Sequence, residues 1–345
     1  MTEKLGGKWR NVVTAVTLLA LALLIFLIWD QIKETIANLQ EVNLLWILLI
    51  ILLQFVNHHS YARIYKDCFA VLGSKLKYWS MYRISLEINF VNNVFPTGGV
   101  SGFSYFGLRM SSFKVSAGKS TLVQMLRMIL VFVSFQVLLV FGLIALAAVG
   151  KASNFTILIS SSVVTLILVG TGFVAYIAGS RSRIDSFFTA LTKFINRLIH
   201  FVRPKHPETI KIKGVRKMFL DLHNNYLLIS KNFSNLGKPL FFALLANTVE
   251  IASIYVVYLA FGEVVNPGAI IIAYVIANFA GLISVLPGGV GIYEGLMTAV
   301  LVTAGVPAAV SIPATITYRV LTSAIQLPPG YYFYHKAVNY VPKKA

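Results

Sequence analysis

The chain has 345 residues, 57% of them hydrophobic and 12% charged, with a mean hydropathy of +0.76. These proportions exclude an ordinary water-soluble domain and leave an integral membrane protein of helical build. A formal charge of +18 would point a soluble protein toward nucleic acid, but cytoplasmic loops of membrane proteins accumulate Lys and Arg, so no nucleic-acid partner is expected. A single cysteine, Cys68, excludes an intramolecular disulfide and supplies no metal framework, so neither metal nor other cofactor is expected.

In chain order, apolar runs long enough to cross a hydrocarbon core of ~30 Å are predicted at about 12–29, 42–58, 120–149, 155–179, 239–261 and 308–333. The first follows Lys4, Lys8 and Arg10 and leads into Trp29-Asp30-Gln31 without a small-residue cleavage site, which reads as a retained span and not a signal peptide. Two further apolar segments, about 80–110 and 268–305, are interrupted by glycine and proline, at Asn92-Asn93-Val94-Phe95-Pro96-Thr97-Gly98-Gly99-Val100-Ser101-Gly102 and at Leu286-Pro287-Gly288-Gly289-Val290-Gly291. Broken backbone at membrane depth survives only when packed in protein or lining a wet cavity, and paired breaks in two halves of a chain point to a transport site. The stretch 181–238 holds twelve of the thirty basic residues, and Phe187, Phe188, Leu191, Phe194, Ile195 and Leu198 recur there at helical spacing, as in a segment lying on the inner leaflet.

Loop charge sets the expected orientation. The N-terminal tail, the 62–79 and 109–119 loops, 181–238 and the C-terminal lysines are basic, while Asp30, Glu34, Glu41 and Glu263 mark the other side. Both termini are therefore expected in the cytoplasm of a multi-pass protein of the cell membrane. The first interrupted segment then enters and leaves from the cytoplasm and the second from outside, as re-entrant hairpins or as pairs of short crossings. The expected fold is all-α: one transmembrane domain over 1–345, a polytopic bundle with two oppositely oriented helical hairpins forming an inverted repeat.

Ionisable groups inside a bilayer are costly, which singles out Glu87, Arg127, Glu250, Glu294 and Arg319. Arg319, in mid-span, offers a planar donor fork for phosphate or carboxylate, or else a structural bridge to Glu294 or Glu250. Glycines let backbone N–H groups converge, and helices beginning near Gly102 and Ile292 would aim their positive ends at an anionic head, with Asn92, Asn93 and Asn278 beside them. Adjacent His58 and His59 face different sides of a helix and make a poor metal pair. No Ser-His-Asp order, HExxH or cysteine pair is present, and neither Gly cluster matches a nucleotide fingerprint.

The first Gly-Pro run through Arg109, the run Leu286 to Gly295 with Tyr293 and Glu294, and Tyr318-Arg319-Val320-Leu321 followed by Leu327-Pro328-Pro329-Gly330 together resemble the lysylphosphatidylglycerol synthase transmembrane family. The resemblance covers nearly the whole chain. It implies a flippase-like lipid-handling protein whose glycine motifs and arginine belong to the lipid path. Many members carry an acidic residue immediately after the first glycines, where this chain has Ser101-Gly102-Phe103. The full-length synthase adds a soluble aminoacyl-transfer domain after its membrane part. This chain ends at Ala345, so aminoacyl-lipid synthesis is not expected.

The expected substrate-binding set is thus Arg319, Glu294, Asn92, Asn93, Pro96, Gly98, Gly99, Gly102, Arg109, Pro287, Gly288, Gly289 and Gly291. The expected activity is translocation of a polar or anionic lipid head, from a phospholipid or a polyprenyl-linked lipid, between leaflets. Two alternatives stay open. One is an intramembrane transferase acting on a lipid-linked substrate with Glu294 as its carboxylate; the other is a non-transporting partner of a cell-envelope lipid-modifying enzyme.

Overall fold

The computed structural model describes residues 7–39, 44–95, 100–150, 154–187, 189–190, 226–227, 229, 232–281, 286 and 289–339. Most of the basic 181–238 stretch, with the apolar positions from Phe188 to Leu198, lies outside these residues. The described chain is an all-α bundle. Its helices are α1 (Gly7–Leu27), α2 (Trp29–Leu39), α3 (Leu44–Val71), α4 (Tyr78–Val94), α5 (Val100–Ser111), α6 (Ala117–Ala147), α7 (Asn154–Ala178), α8 (Gly237–Ala260), α9 (Pro267–Gly281), α10 (Ile292–Thr303) and α11 (Ala308–Asn339).

Among the described residues five helices are long and apolar enough to cross a membrane, and α1 with α2, bent by 55° at Ile28, would make a sixth. Their outer faces remain apolar: Leu19, Phe26, Phe141, Leu158 and Val169 are all more than half exposed. In water such faces would aggregate; against lipid chains they are at home.

The order long helix, short helix, short helix, long helix occurs twice. The elements α3 to α6 have 28, 17, 12 and 31 residues. The elements α8 to α11 have 24, 15, 12 and 32. Contacts follow the same correspondence: α4 packs on α11 as α9 packs on α6, α5 on α6 as α10 on α11, and the counterparts α3 and α8 pack on each other. Each glycine-rich break joins two helices that pack together as a hairpin. At 1.5 Å per residue the 12 residues of α5 or α10 reach about 18 Å, short of the ~30 Å hydrocarbon thickness.

The two hairpins build separate cores at opposite ends of shared helices. Ala62 to Phe69 of α3, Leu72 just beyond it, and Leu122 to Leu130 of α6 pack with Met81, Ile84 and Phe106 of the first hairpin. Ile50 of α3 and Phe135 to Leu146 of α6 pack with Ile270, Tyr274 and Met297 of the second. What lies between the two cores is the middle of the bundle.

Close approach fixes the glycines that matter. A Cβ on Gly102 would overlap the Asn92 side chain, which holds α5 against α4. Gly289 and Gly291 have φ of +68° and +86°, in the left-handed region where a side chain is strained. We therefore expect Gly291→Ala to lower stability by about 1–2 kcal/mol, read as thermal melting in detergent. Gly295→Ala, one turn on in a place where a Cβ meets nothing within 4 Å, should leave melting unchanged. Equal melting of both variants would show that the turn tolerates a side chain.

Candidate functional site

Many of the polar side chains that interrupt the apolar helices line one chamber of about 350 Å³. Helix α3 supplies Asn57, His58 and Tyr61, α4 supplies Asn89, Asn92 and Asn93, and α6 supplies Arg127. From the second half come Glu250 on α8, Tyr274 and Asn278 on α9, Tyr293 on α10, and Tyr318, Arg319 and Gln326 on α11. In lipid a polar residue is costly on the outer face, so the inward turn is the expected resolution.

Each charged group in the chamber has a different setting. Arg319 Nη1 lies 2.7 Å from Glu294 Oε1 and its guanidinium sits 4.9 Å from the centre of the Tyr293 ring. The second Glu294 oxygen accepts the Gly291 N–H at 2.7 Å, so the carboxylate both neutralises Arg319 and caps α10. The start of α10 is thus already compensated from within, in place of the expected open N-terminus facing a lipid head. Glu250 accepts a 2.5 Å hydrogen bond from the Tyr318 hydroxyl. Arg127 Nε donates to Gln124 Oε1 at 3.1 Å, the oxygen that also accepts from the Tyr65 hydroxyl at 3.0 Å. Its guanidinium lies 5.9 and 5.8 Å from the Tyr61 and Tyr65 rings. Among the described residues, no carboxylate lies within ion-pair distance of Arg127.

A chain of amides ties the halves together beside the chamber. Asn93 donates to Asn89 Oδ1 at 2.5 Å, Asn89 to Gln326 at 2.6 Å, Gln326 to Gln54 at 2.5 Å, and Gln54 to the Ser253 hydroxyl at 3.2 Å. That series crosses α4, α11, α3 and α8, so a displacement of one long helix disturbs all four. By contrast, the buried Oδ1 of Asn92 has no hydrogen-bond partner among the described residues.

The chamber adjoins an apolar pocket of about 400 Å³ between α5, α6 and α9, with which it shares Tyr61, Asn92, Arg127, Tyr274 and Asn278. Val100, Phe103, Met128, Val131, Phe132 and Phe135 line the far side. Together the two cavities are polar at one end and apolar at the other.

The sequence that forms these hairpins and places this arginine matches a known family. The sequence pattern of the lysylphosphatidylglycerol synthase TM region matches residues 12–330. The chain belongs to that family. Two curated relatives from Methanothermobacter thermautotrophicus, each described as a UPF0104 membrane protein, align with parts of it. One is 40% identical over 76 residues, 22% of this chain and 23% of the relative; the other is 33% identical over 96 residues, 28% of each. The alignments therefore span about a quarter of these relatives' length.

The expected site residues of this family member fall into four groups. Arg319, Asn92 and Asn93 line the chamber, and Glu294 reaches it through Arg319. Gly102, Gly289 and Gly291 shape the hairpin turns without contributing to the chamber lining. Pro96, Gly98, Gly99, Pro287 and Gly288 lie outside the described residues. Arg109 is placed elsewhere: its Nε is 2.8 Å from Glu87, which also accepts from the Tyr105 hydroxyl at 2.7 Å. The pair closes the first hairpin across α4 and α5, in a cleft with Arg83, Phe333 and Lys336.

Missing from the expected set are Arg127, Glu250, Asn57, Gln326 and the tyrosines 61, 274, 293 and 318. Arg127 and Glu250 carry a sequence signal, as charges within apolar runs. The tyrosines carry none, because aromatic residues at helical spacing look the same whether they face core, lipid or cavity. Among the described residues no group of three or more metal-ligating side chains converges.

Proposed function

We propose that the protein moves lipid head groups between leaflets, the head passing through the polar chamber while the chains stay in an apolar phase. The supporting observation is the amphipathic cavity: three charged side chains and a ring of amides and tyrosines inside an apolar bundle, continuous with a pocket of phenylalanine, valine and methionine. Neither a soluble solute nor a purely structural helix contact accounts for both ends of that cavity. Family membership agrees with a membrane role.

In this reading the two similar halves are inverted with respect to the membrane, with both termini in the cytoplasm and the hairpin cores facing opposite surfaces. Cores at opposite ends of α3 and α6 favour that arrangement. With Cys68 replaced by Ser, a cysteine at Ser116 should react with an impermeant reagent only from the cytoplasmic side, and cysteines at Asn38 and Asn154 only from outside. Labelling of Ser116 and Asn154 from the same side would rule out the inversion.

The transferase alternative loses its best carboxylate, since Glu294 is engaged by Arg319 and by the Gly291 N–H. Translocation is tested by reconstituting the purified chain in vesicles holding tail-labelled lipids and bleaching head groups from outside. Bleaching beyond the outer-leaflet fraction, dependent on the protein, is the expected result. Bleaching that stops at the outer leaflet for every lipid in a panel of phospholipids, glycolipids and polyprenyl phosphates would end the translocase reading.

A further inference from the structure

Without a ligand the charges of the chamber cancel. Arg319 is bridged to Glu294 at 2.7 Å, so that pair is neutral. What remains is a cation, Arg127, and a carboxylate, Glu250, both lining the same chamber. Among the described residues neither lies within ion-pair distance of an opposite charge. Tyr61 is within electrostatic reach of both.

Glu250 has neutral partners. Its Oε2 accepts from the Tyr318 hydroxyl at 2.5 Å, and the Gln54 amide lies beside it. Among the described residues, α3 turns His58, Tyr61 and Tyr65 to the chamber and α6 turns Arg127. Tyr274 comes from α9, Tyr293 from α10 and Arg319 from α11, while the polar groups of α4 there are asparagines and Ser85. The tyrosines are uncharged phenols at neutral pH. His58 has a buried Nε2 without a hydrogen-bond partner among the described residues. A proton there would make a buried cation with nothing to accept from it. A proton on Oε1 of Glu250 makes a neutral acid, and Oε2 still accepts from Tyr318.

An anionic head entering this space brings a second negative charge to a chamber with one unbridged cation. Net charge at membrane depth is costly. One proton on Glu250 restores neutrality. We propose that Glu250 is a proton-binding site and that a proton travels with each singly charged anionic head, so that the protein works as a proton–lipid symporter. The inference rests on the translocation reading above and adds to it the coupling ion, the stoichiometry and the energy source. On the side of entry the carboxylate takes its proton from water as the head arrives. On the far side head and proton leave together, and the ionised carboxylate again balances Arg127.

Proton binding is read first, apart from movement. The purified full chain in weakly buffered detergent is given phosphatidylglycerol while a pH indicator follows the solution. Uptake of about one proton per chain is expected, with none on adding phosphatidylcholine and none in Glu250→Gln. His58→Gln should take up the proton as the unsubstituted chain does, and Glu250→Asp, which keeps a carboxyl, should do so in part. Thermal melting in the same detergent checks that each variant is folded.

Coupling is read in phosphatidylcholine vesicles holding a trace of tail-labelled phosphatidylglycerol, with the membrane potential clamped at zero. An inside-alkaline gradient of about one pH unit should enrich the label in the inner leaflet about tenfold, the equilibrium ratio for one proton per head. A potential imposed without a pH gradient should enrich neither leaflet.

Uptake that persists in a folded Glu250→Gln protein, or that is lost in His58→Gln, would overturn the assignment of the proton to Glu250. Enrichment that follows the potential and ignores the pH gradient would overturn the coupling. Lipid-dependent uptake at Glu250 with no head-group movement under any condition would sink translocation, and the symport with it, while leaving the proton site standing. Movement with no uptake and no response to the pH gradient would leave translocation standing and end this proposal.

Discussion

Arg319→Gln should destabilise the protein by about 3–5 kcal/mol, because it strands the Glu294 carboxylate in a mostly buried place. The partner's side chain is only 11% exposed and that of Arg319 is 15%, so water does little to compensate the loss. Adding Glu294→Gln should recover most of the stability. A glutamine at the third position of α10 still accepts the Gly291 N–H, keeping the cap while removing the unpaired charge. Thermal melting in detergent is the measurement. If the double variant melts no higher than Arg319→Gln alone, the ion pair is not what the arginine supplies to the fold. Head-group movement measured on the same proteins then separates roles: a stable, inactive double variant assigns Arg319 to the lipid path as well as to the bundle.

Gly330→Leu should separate α11 from α4 and prevent the chain from reaching a folded state that survives purification. A Cβ at Gly330 would lie 2.8 Å from Phe90 Cβ and 2.9 Å from the Leu86 carbonyl oxygen. Two of those neighbours' atoms belong to or adjoin the α4 backbone, so no rotamer change can make room. Alanine should already lower melting by about 1–3 kcal/mol. Gly107→Ala, on α5 with nothing within 4 Å, is the control and should be neutral. A Gly330→Leu protein that melts like the unsubstituted chain would show that α4 and α11 can part without loss, which the Asn89–Gln326 bond between them argues against.

How much of this was legible in the sequence differs from residue to residue. The all-α membrane fold follows from composition and from apolar runs, since only helices satisfy their own backbone within such segments. Both hairpin breaks were legible, because glycine and proline inside apolar stretches have few other uses. So was the depth of Arg319, and its bridge to Glu294 was one of the two partners expected. The use of Arg109 was not legible: it stands at the end of a family-like motif, yet Glu87, twenty-two positions earlier, reaches it because the hairpin folds α5 back along α4.

The sequence by itself determined the class, the helices and their two interruptions, for these depend on local propensity and on hydrophobic length. Only the tertiary structure decided which polar residues share a cavity. Asn57, Arg127, Glu250 and Arg319 lie on four separate long helices, and what unites them is the crossing of two similar halves. It also decided how the two arginines of that cavity are held, Arg319 bridged to Glu294 and Arg127 against Gln124 and two tyrosine rings. The physical reason is that such pairing depends on distances between helices that loop length and composition leave unspecified.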